Sequence, residues 1–245
     1  MNISTLTIGA PLELWTTRYG AMIGVDATDN DNAVRSLQHY GEWAEKELDV
    51  LSSFVIEGQH VLQVGAEHGA HPLWFARTVE RGGRVHVVDP SRLALQEVVG
   101  NAILNRLHNV YTHQFRAAAA EGRRRGDNGQ DEELINSIDS LKLERLDVLK
   151  SNVKDDLLGV LNGAADTVRR CHPLIYARTS GIDNVEAEVR KIKEFGYRCW
   201  AHTPYLHNLQ NFRGETGNIF PARVWQNVVA APIGSSFELD AQHEL

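Results

Sequence analysis

With 245 residues, 42% of them hydrophobic and 23% charged, the chain has enough apolar material for one α/β domain with a full core. A formal net charge of −7 argues against a nucleic-acid binder built on a basic stripe, and no run reaches the roughly 18 apolar residues that a membrane span requires. Cys171 and Cys199 fit no metal spacing and need no disulfide, and the N-terminus lacks the basic and apolar regions of a signal peptide, so a reducing, cytoplasmic setting is expected.

Residues 1–57 read as a helical lead-in, and residues 58–245 as a single globular unit. Leu37, Tyr40, Trp43, Leu48 and Leu51 recur at helical spacing, which predicts one or two helices between Val34 and Phe54. "HVLQVGA" then reads as a buried parallel strand, "HPLWFARTVER" as a helix with Pro72 in its first turn, and "RVHVVD" as a second strand. "SRLALQEVVGNAILNRL" is a helix with Ser91 as N-cap, and "NVYTHQF" a third strand. This alternation predicts a doubly wound, Rossmann-like parallel sheet with right-handed crossovers.

"AAAAEGRRRGDNGQDEE" has the composition of an exposed loop or insert, with Arg123, Arg124 and Arg125 solvated beside Asp131, Glu132 and Glu133. "ERLDVLKSN" reads as a fourth strand, "DDLLGVLNGAADTVRRC" as a helix, and "HPLIYARTS" as a fifth strand. "NVEAEVRKIKEFG" is a helix with Gly196 at its C′ position. "YRCWAH" and "ARVWQNVVAAP" are two late strands, able to pair as an antiparallel hairpin across the long loop from Thr203 to Pro221.

Chemistry concentrates at the first glycine turn. A dinucleotide site wants Gly-x-Gly-x-x-Gly so that backbone can approach a pyrophosphate. Here Gly65 and Gly69 enclose Ala66, Glu67 and His68; the middle glycine is missing, and Glu67 would set a negative charge beside a phosphate. That argues against an NAD-dependent oxidoreductase. It suits a cofactor with a positive centre and no phosphate, such as S-adenosylmethionine. Asp89, at the tip of the second strand, can accept hydrogen bonds from both ribose hydroxyls of an adenosine, and Pro90 turns the chain toward the adenine edge.

The stretch "VLQVGAEHGAHPLWFA" resembles the D-V-G-A-N-I-G-A-H-T motif of FkbM-type S-adenosylmethionine-dependent methyltransferases. "RSLQHYGEWAEKEL", "VVDPS", "SIDSLKLERLDVLKSNV" and "TPYLHNLQNFRGETGNIF" are similar to further segments of that family in the same order, from about Arg18 to Pro232. The resemblance implies a class I methyltransferase fold: seven strands, mostly parallel, with the last pair antiparallel and the cofactor above the C-terminal ends of the first strands. It places Gly65, Ala66, Glu67 and Gly69 in the cofactor turn, Asp89 on the ribose, and Tyr40, Glu42 and Trp43 in a segment closing over the methionine part. It implies O-methylation of a sugar, glycan or secondary metabolite. The other reading is a relative without turnover, serving as partner or regulatory subunit in a homo-oligomer or a heteromer with an active relative.

Departures from the family pattern bear on turnover. Its first-strand acid is Gln63 here, which keeps an acceptor oxygen but loses the charge; a weaker hold on the cofactor is expected, restored by Gln63→Asp. Its acids after the fourth strand align with Asn152 and Lys154. A hydroxyl acceptor usually needs a carboxylate or histidine as base, and the remaining catalytic candidates are His202, Asn152 and Asp147. His207 borders the late loop with His202, and Asp139 lies with Asp147 near the fourth strand, as further candidates. Arg178 reads as a surface ion pair or as a contact for a substrate carboxylate. His68 and His71 have a spacing that could suit a metal, but no third ligand is evident, so no metal site is expected.

Overall fold

The computed structural model describes residues 13–24, 31–125, 132–153, 156–240 and 243–245. Lys154 therefore lies outside the described residues. The chain opens with an antiparallel hairpin, β1 (Leu14–Thr17) and β2 (Gly20–Ile23), inside the lead-in expected to be helical. Two helices follow, α1 (Asn32–Tyr40) and α2 (Glu45–Leu51). Asp31 caps α1 by accepting from Val34 N at 3.0 Å, and Gly41, at φ 70°, stops it.

The central alternation runs β3 (His60–Val64), a 3₁₀ turn (Glu67–Gly69), α3 (Ala70–Thr78), β4 (Arg84–Asp89), α4 (Arg92–Leu104) and β5 (Val110–Gln114). Ser91 caps α4 through Ala94 N, as its position suggests. The insert is more ordered than its composition indicates. β6 (Arg116–Ala117), β7 (Gly122–Arg125) and β8 (Glu132–Asn136) form a small sheet, so the arginine run is a strand. Arg124 and Arg116 both donate to Glu133, at 2.8 Å each. β6 and β7 are short and largely polar, and the two apolar residues of β8, Leu134 and Ile135, are adjacent, so no two-residue hydrophobic period reveals them.

Beyond β9 (Val148–Ser151), the segment expected as one helix breaks at Ala164 into α5 (Leu157–Gly163) and α6 (Ala165–Cys171). β10 (Leu174–Arg178), α7 (Ile182–Glu194), β11 (Tyr197–His202) and β12 (Asn227–Pro232) complete the fold.

The main sheet has seven strands in the order β5-β4-β3-β9-β10-β12-β11. The pairs from β5 to β10 are parallel, while β12 is antiparallel to both β10 and β11. Val61, Val85, Val87, Val148, Tyr176 and Val229 pack toward the α1–α4 side; Leu62, Val88, Leu149, Ile175 and Ala230 pack toward α5–α7. From β3 the chain moves outward to β5, then returns to lay β9 on the other side of β3. The topological switch point, where ligands of open α/β sheets bind, therefore falls between the C-terminal ends of β3 and β9.

Candidate functional site

Side chains on one face of a strand recur every two residues, so the register decides what lines the site. Val87, Gln63, Lys150, Tyr176 and Val229 stand side by side across five strands. The next row toward the C-terminal edge is Asp89, Gly65, Asn152, Arg178 and Asn227, ending at His202 on β11. Five residues singled out from sequence, scattered over 138 positions in the chain, thus share one edge of one face.

The turn itself is unusual. Gly65 and Gly69 take φ of 91° and 87°, and Glu67 and His68, which carry side chains, take 43° and 59°. Left-handed backbone at non-glycine residues costs on the order of 1 kcal/mol each and persists only where neighbours over-determine it. Both side chains are anchored. Glu67 accepts from Arg178 and, at 2.9 Å, from Trp43 Nε1. His68 is held between Asp31 (2.9 Å) and Glu97 (2.7 Å), which tie the turn to the α1 cap and to α4. Burial opposes charge on that imidazole, but the two acids outweigh it and raise its pKa to about 10. His68 and His71 do not converge: His71 is fully buried, bonded to Trp43 O at 2.9 Å, and burial together with Lys150 lowers its pKa to about 4. Among the described residues no group of three or more His, Cys, Asp or Glu could hold a metal.

Asp89 lies at the tip of β4 and is partly exposed. One carboxylate oxygen accepts from Ala66 N at 2.9 Å and the other from Ser91 N at 2.8 Å. Burial raises its pKa against those two amides. Each oxygen keeps acceptor capacity beyond its one backbone bond. Pro90 follows directly. Backbone and packing both favour glycine at Gly65 and Gly69: besides their left-handed φ, a Cβ on Gly65 would meet Asn152 Cβ at 3.1 Å, and one on Gly69 would meet Val98 Cα at 3.3 Å.

Beneath the turn lies a buried charge quartet that the sequence did not announce. Glu47 and Lys150 are wholly inaccessible and Arg178 nearly so. Lys150 Nζ is 2.9 Å from Glu47, and Arg178 bridges Glu47 (3.1 Å) to Glu67 while its guanidinium lies 4.4 Å from the Trp225 ring centre. Burial opposes the Glu47 charge, but Arg178 and Lys150 hold its pKa down to about 2. Arg178 is thus neither a surface pair nor a substrate contact. The available signal was its place, like that of Lys150, inside an apolar run of a parallel strand, where any charge must be buried.

Other candidates fall outside the turn. Tyr40 donates to Gly217 O (2.8 Å) and accepts from Ile219 N (2.7 Å); Glu42 accepts from Asn208 and from Phe212 N, both at 2.8 Å. Tyr40, at the end of α1, and Glu42, just beyond it, thus pin the late loop. Asp147 lies at the opposite end of the sheet, accepting from His60 N at 2.7 Å and pairing with Arg145, so it is no base for chemistry at the turn. His202 shares the correct edge and bonds Tyr176 Oη at 2.8 Å, but four strand spacings separate it from Gly65, about 19 Å. It borders instead a cleft of about 520 Å³ between α2 and the late loop. Asn152 is buried beside Gly65 and accepts from Lys150.

No family model and no curated protein sequence matches the chain. Among solved structures it is similar to a methyltransferase FkbM from Methylobacillus flagellatus, at 15% identity and TM-score 0.54, covering 83% of this chain and 55% of that one. It is similar to a precorrin-6y C5,15-methyltransferase from Geobacter metallireducens, at 13% identity and TM-score 0.53, covering 76% and 88%. It is also similar to a SAM-dependent O-methyltransferase from Thermotoga maritima, at 14% identity and TM-score 0.51, covering 93% and 80%. The likeness is one of fold and does not single out the FkbM type. The seven-stranded, mostly parallel sheet with its antiparallel last strand has the class I methyltransferase fold.

Proposed function

We propose that the chain binds S-adenosylmethionine at the C-terminal edge of β3 and β4 and acts as a methyltransferase on a small-molecule or glycan acceptor. The observation that carries this is Asp89, fixed to the glycine turn through Ala66 N and keeping acceptor capacity beside the switch point. Its carboxylate suits the vicinal hydroxyls of the ribose, and Gln63, Gly65, Ala66 and Gly69 shape the floor beside it. The methionine end is served less well. Glu67 is committed to Arg178 and Trp43, and Gln63 directs its Nε2 to Gly65 O at 2.7 Å, so neither presents a free charge to an ammonium group. The adenosine half therefore carries the affinity.

When bound, the cofactor supplies a methyl group made electrophilic by its sulfonium. Displacement at that carbon needs an in-line acceptor, so positioning supplies most of the catalysis. Asn152 is not a base, and Asp147 and His202 lie away from the turn, so O-methylation of a sugar, glycan or secondary metabolite, the reading taken from the sequence, takes its proton acceptor from solvent or from the substrate itself. One observation favours the second reading, a partner subunit without turnover: Lys150 holds the Asn152 amide where the resemblance places an acid. Asp89→Ala should weaken cofactor binding by about 1.5–3 kcal/mol, the scale of hydrogen bonds to a charged group. Calorimetry measures this, with thermal unfolding as a check because Asp89 also holds two backbone amides. An unchanged dissociation constant in a folded variant would remove Asp89 from the ligand.

A further inference from the structure

At the other end of the same strand lies a second concavity. Counting along β4, Arg84 and Asp89 are about 17 Å apart. An open cavity of about 780 Å³ is lined there by Arg77, Arg81, Arg84 and Arg106 together with Glu80 and Tyr111. Among the described residues none of these four arginines has a carboxylate within ion-pair distance; Arg77 donates only to the neutral Asn105, at 2.7 Å.

A bland explanation is that they cap helix C-termini. Buried Asn109 already serves the end of α3, donating to Ala76 O at 2.9 Å and Glu80 O at 2.7 Å. The charge balance also exceeds what capping needs. Four guanidiniums face one carboxylate, and the C-termini of α3 and α4 contribute roughly half a negative charge each, so about two positive charges stay uncompensated. The patch is opposite in sign to the chain as a whole, whose net charge is −7. One arm is set in place, since the Arg84 guanidinium lies 5.9 Å from the Tyr111 ring centre and that ring stacks on His86 at 5.3 Å.

We propose that this cavity is a binding site for a phosphorylated small molecule, a di- or polyphosphate whose charge matches the uncompensated pair. Guanidinium forks bind phosphate oxygens two at a time, and the volume lies within the usual small-molecule range. The negative charge of the rest of the chain repels an extended polyanion, which favours a compact ligand over a nucleic-acid strand. The site is independent of the cofactor reading, so its test needs no cofactor.

Inorganic pyrophosphate is the probe, titrated calorimetrically into the full chain at low salt. Binding is expected in the wild type. The double variant Arg84→Gln/Arg106→Gln should lose at least about ten-fold in affinity, on the scale of one or two charged hydrogen bonds. Arg106→Gln alone should lose part of this, and Arg190→Gln on α7 none. Far-UV circular dichroism confirms that each variant is folded. Absence of binding, or equal affinity in the folded double variant, would overturn the site. A short single-stranded oligoribonucleotide binding more tightly than pyrophosphate through the same arginines would overturn the ligand class.

Discussion

Arg178→Met should cost about 3–5 kcal/mol of stability at neutral pH, the usual effect of removing one partner from a buried ion pair. Arg178 is the only side chain that touches both Glu47 and Glu67 among the described contacts, and without it Lys150 is left with the buried Glu47 and the half-buried Glu67. The pH dependence identifies the cause. In the wild type Glu47 titrates at about 2, below its ordinary 4.5, so its contribution is present above 4.5 and is lost as pH falls through 2. In the variant, burial without Arg178 pushes the carboxyls upward, so protonation relieves the defect and stability recovers as the solution is acidified. The gap between the two proteins, measured by urea unfolding, should be wide at pH 7 and narrow near pH 4. A gap under about 1 kcal/mol, or one independent of pH, would mean that the quartet is not held by Arg178. Because Glu67 loses its anchor, the strained turn should loosen and ligand affinity fall as well.

Gln63→Glu should be almost as damaging, by about 3 kcal/mol or more at neutral pH. Gln63 is fully buried, beside Lys150 in the register, and its Nε2 donates to Gly65 O at 2.7 Å. Glutamate of the same shape turns that donor into a carboxylate oxygen facing a carbonyl oxygen. It also adds a third acid to a quartet already balanced at two acids and two bases. Protonation restores a donor, so the folded state raises the pKa of the new carboxyl. Stability is then greatest below the ordinary glutamate value and falls as pH rises through the raised one. Denaturation at pH 7 and pH 4 reads this directly, and equal stability at both would sink the argument. From the sequence alone, Gln63→Asp restores affinity for a positive ligand; the buried quartet adds that an acid at this position costs stability. Gln63 is the neutral residue that the balanced quartet admits.

The strands and helices of the central alternation were legible because apolar runs, glycine stops and a serine cap mark them locally. Arg84–Asp89 coincides with its pattern, and His60–Val64 begins where its pattern does and ends two residues earlier. The small sheet β6–β8 was not legible, since its strands are short and carry no two-residue hydrophobic period. The positions of Asp89 and the turn could be read because spacing along one strand–turn–helix unit fixes them. The partners of Glu67, Tyr40 and Glu42 could not, because they come from segments as much as 179 residues away. His202 shows the same limit in reverse. Its residue type suits a base, but only the strand order reveals its distance from the turn.

Titration of the wild-type protein with S-adenosylmethionine and S-adenosylhomocysteine tests the central claim most directly. With Glu67 and Gln63 both committed within the protein, the site should not distinguish the sulfonium from the neutral thioether. Both ligands should bind with dissociation constants within about three-fold of each other, a difference under 1 kcal/mol. Failure of both to bind would contradict an adenosine site at Asp89, and a strong preference for the charged cofactor would contradict the account of where Glu67 points.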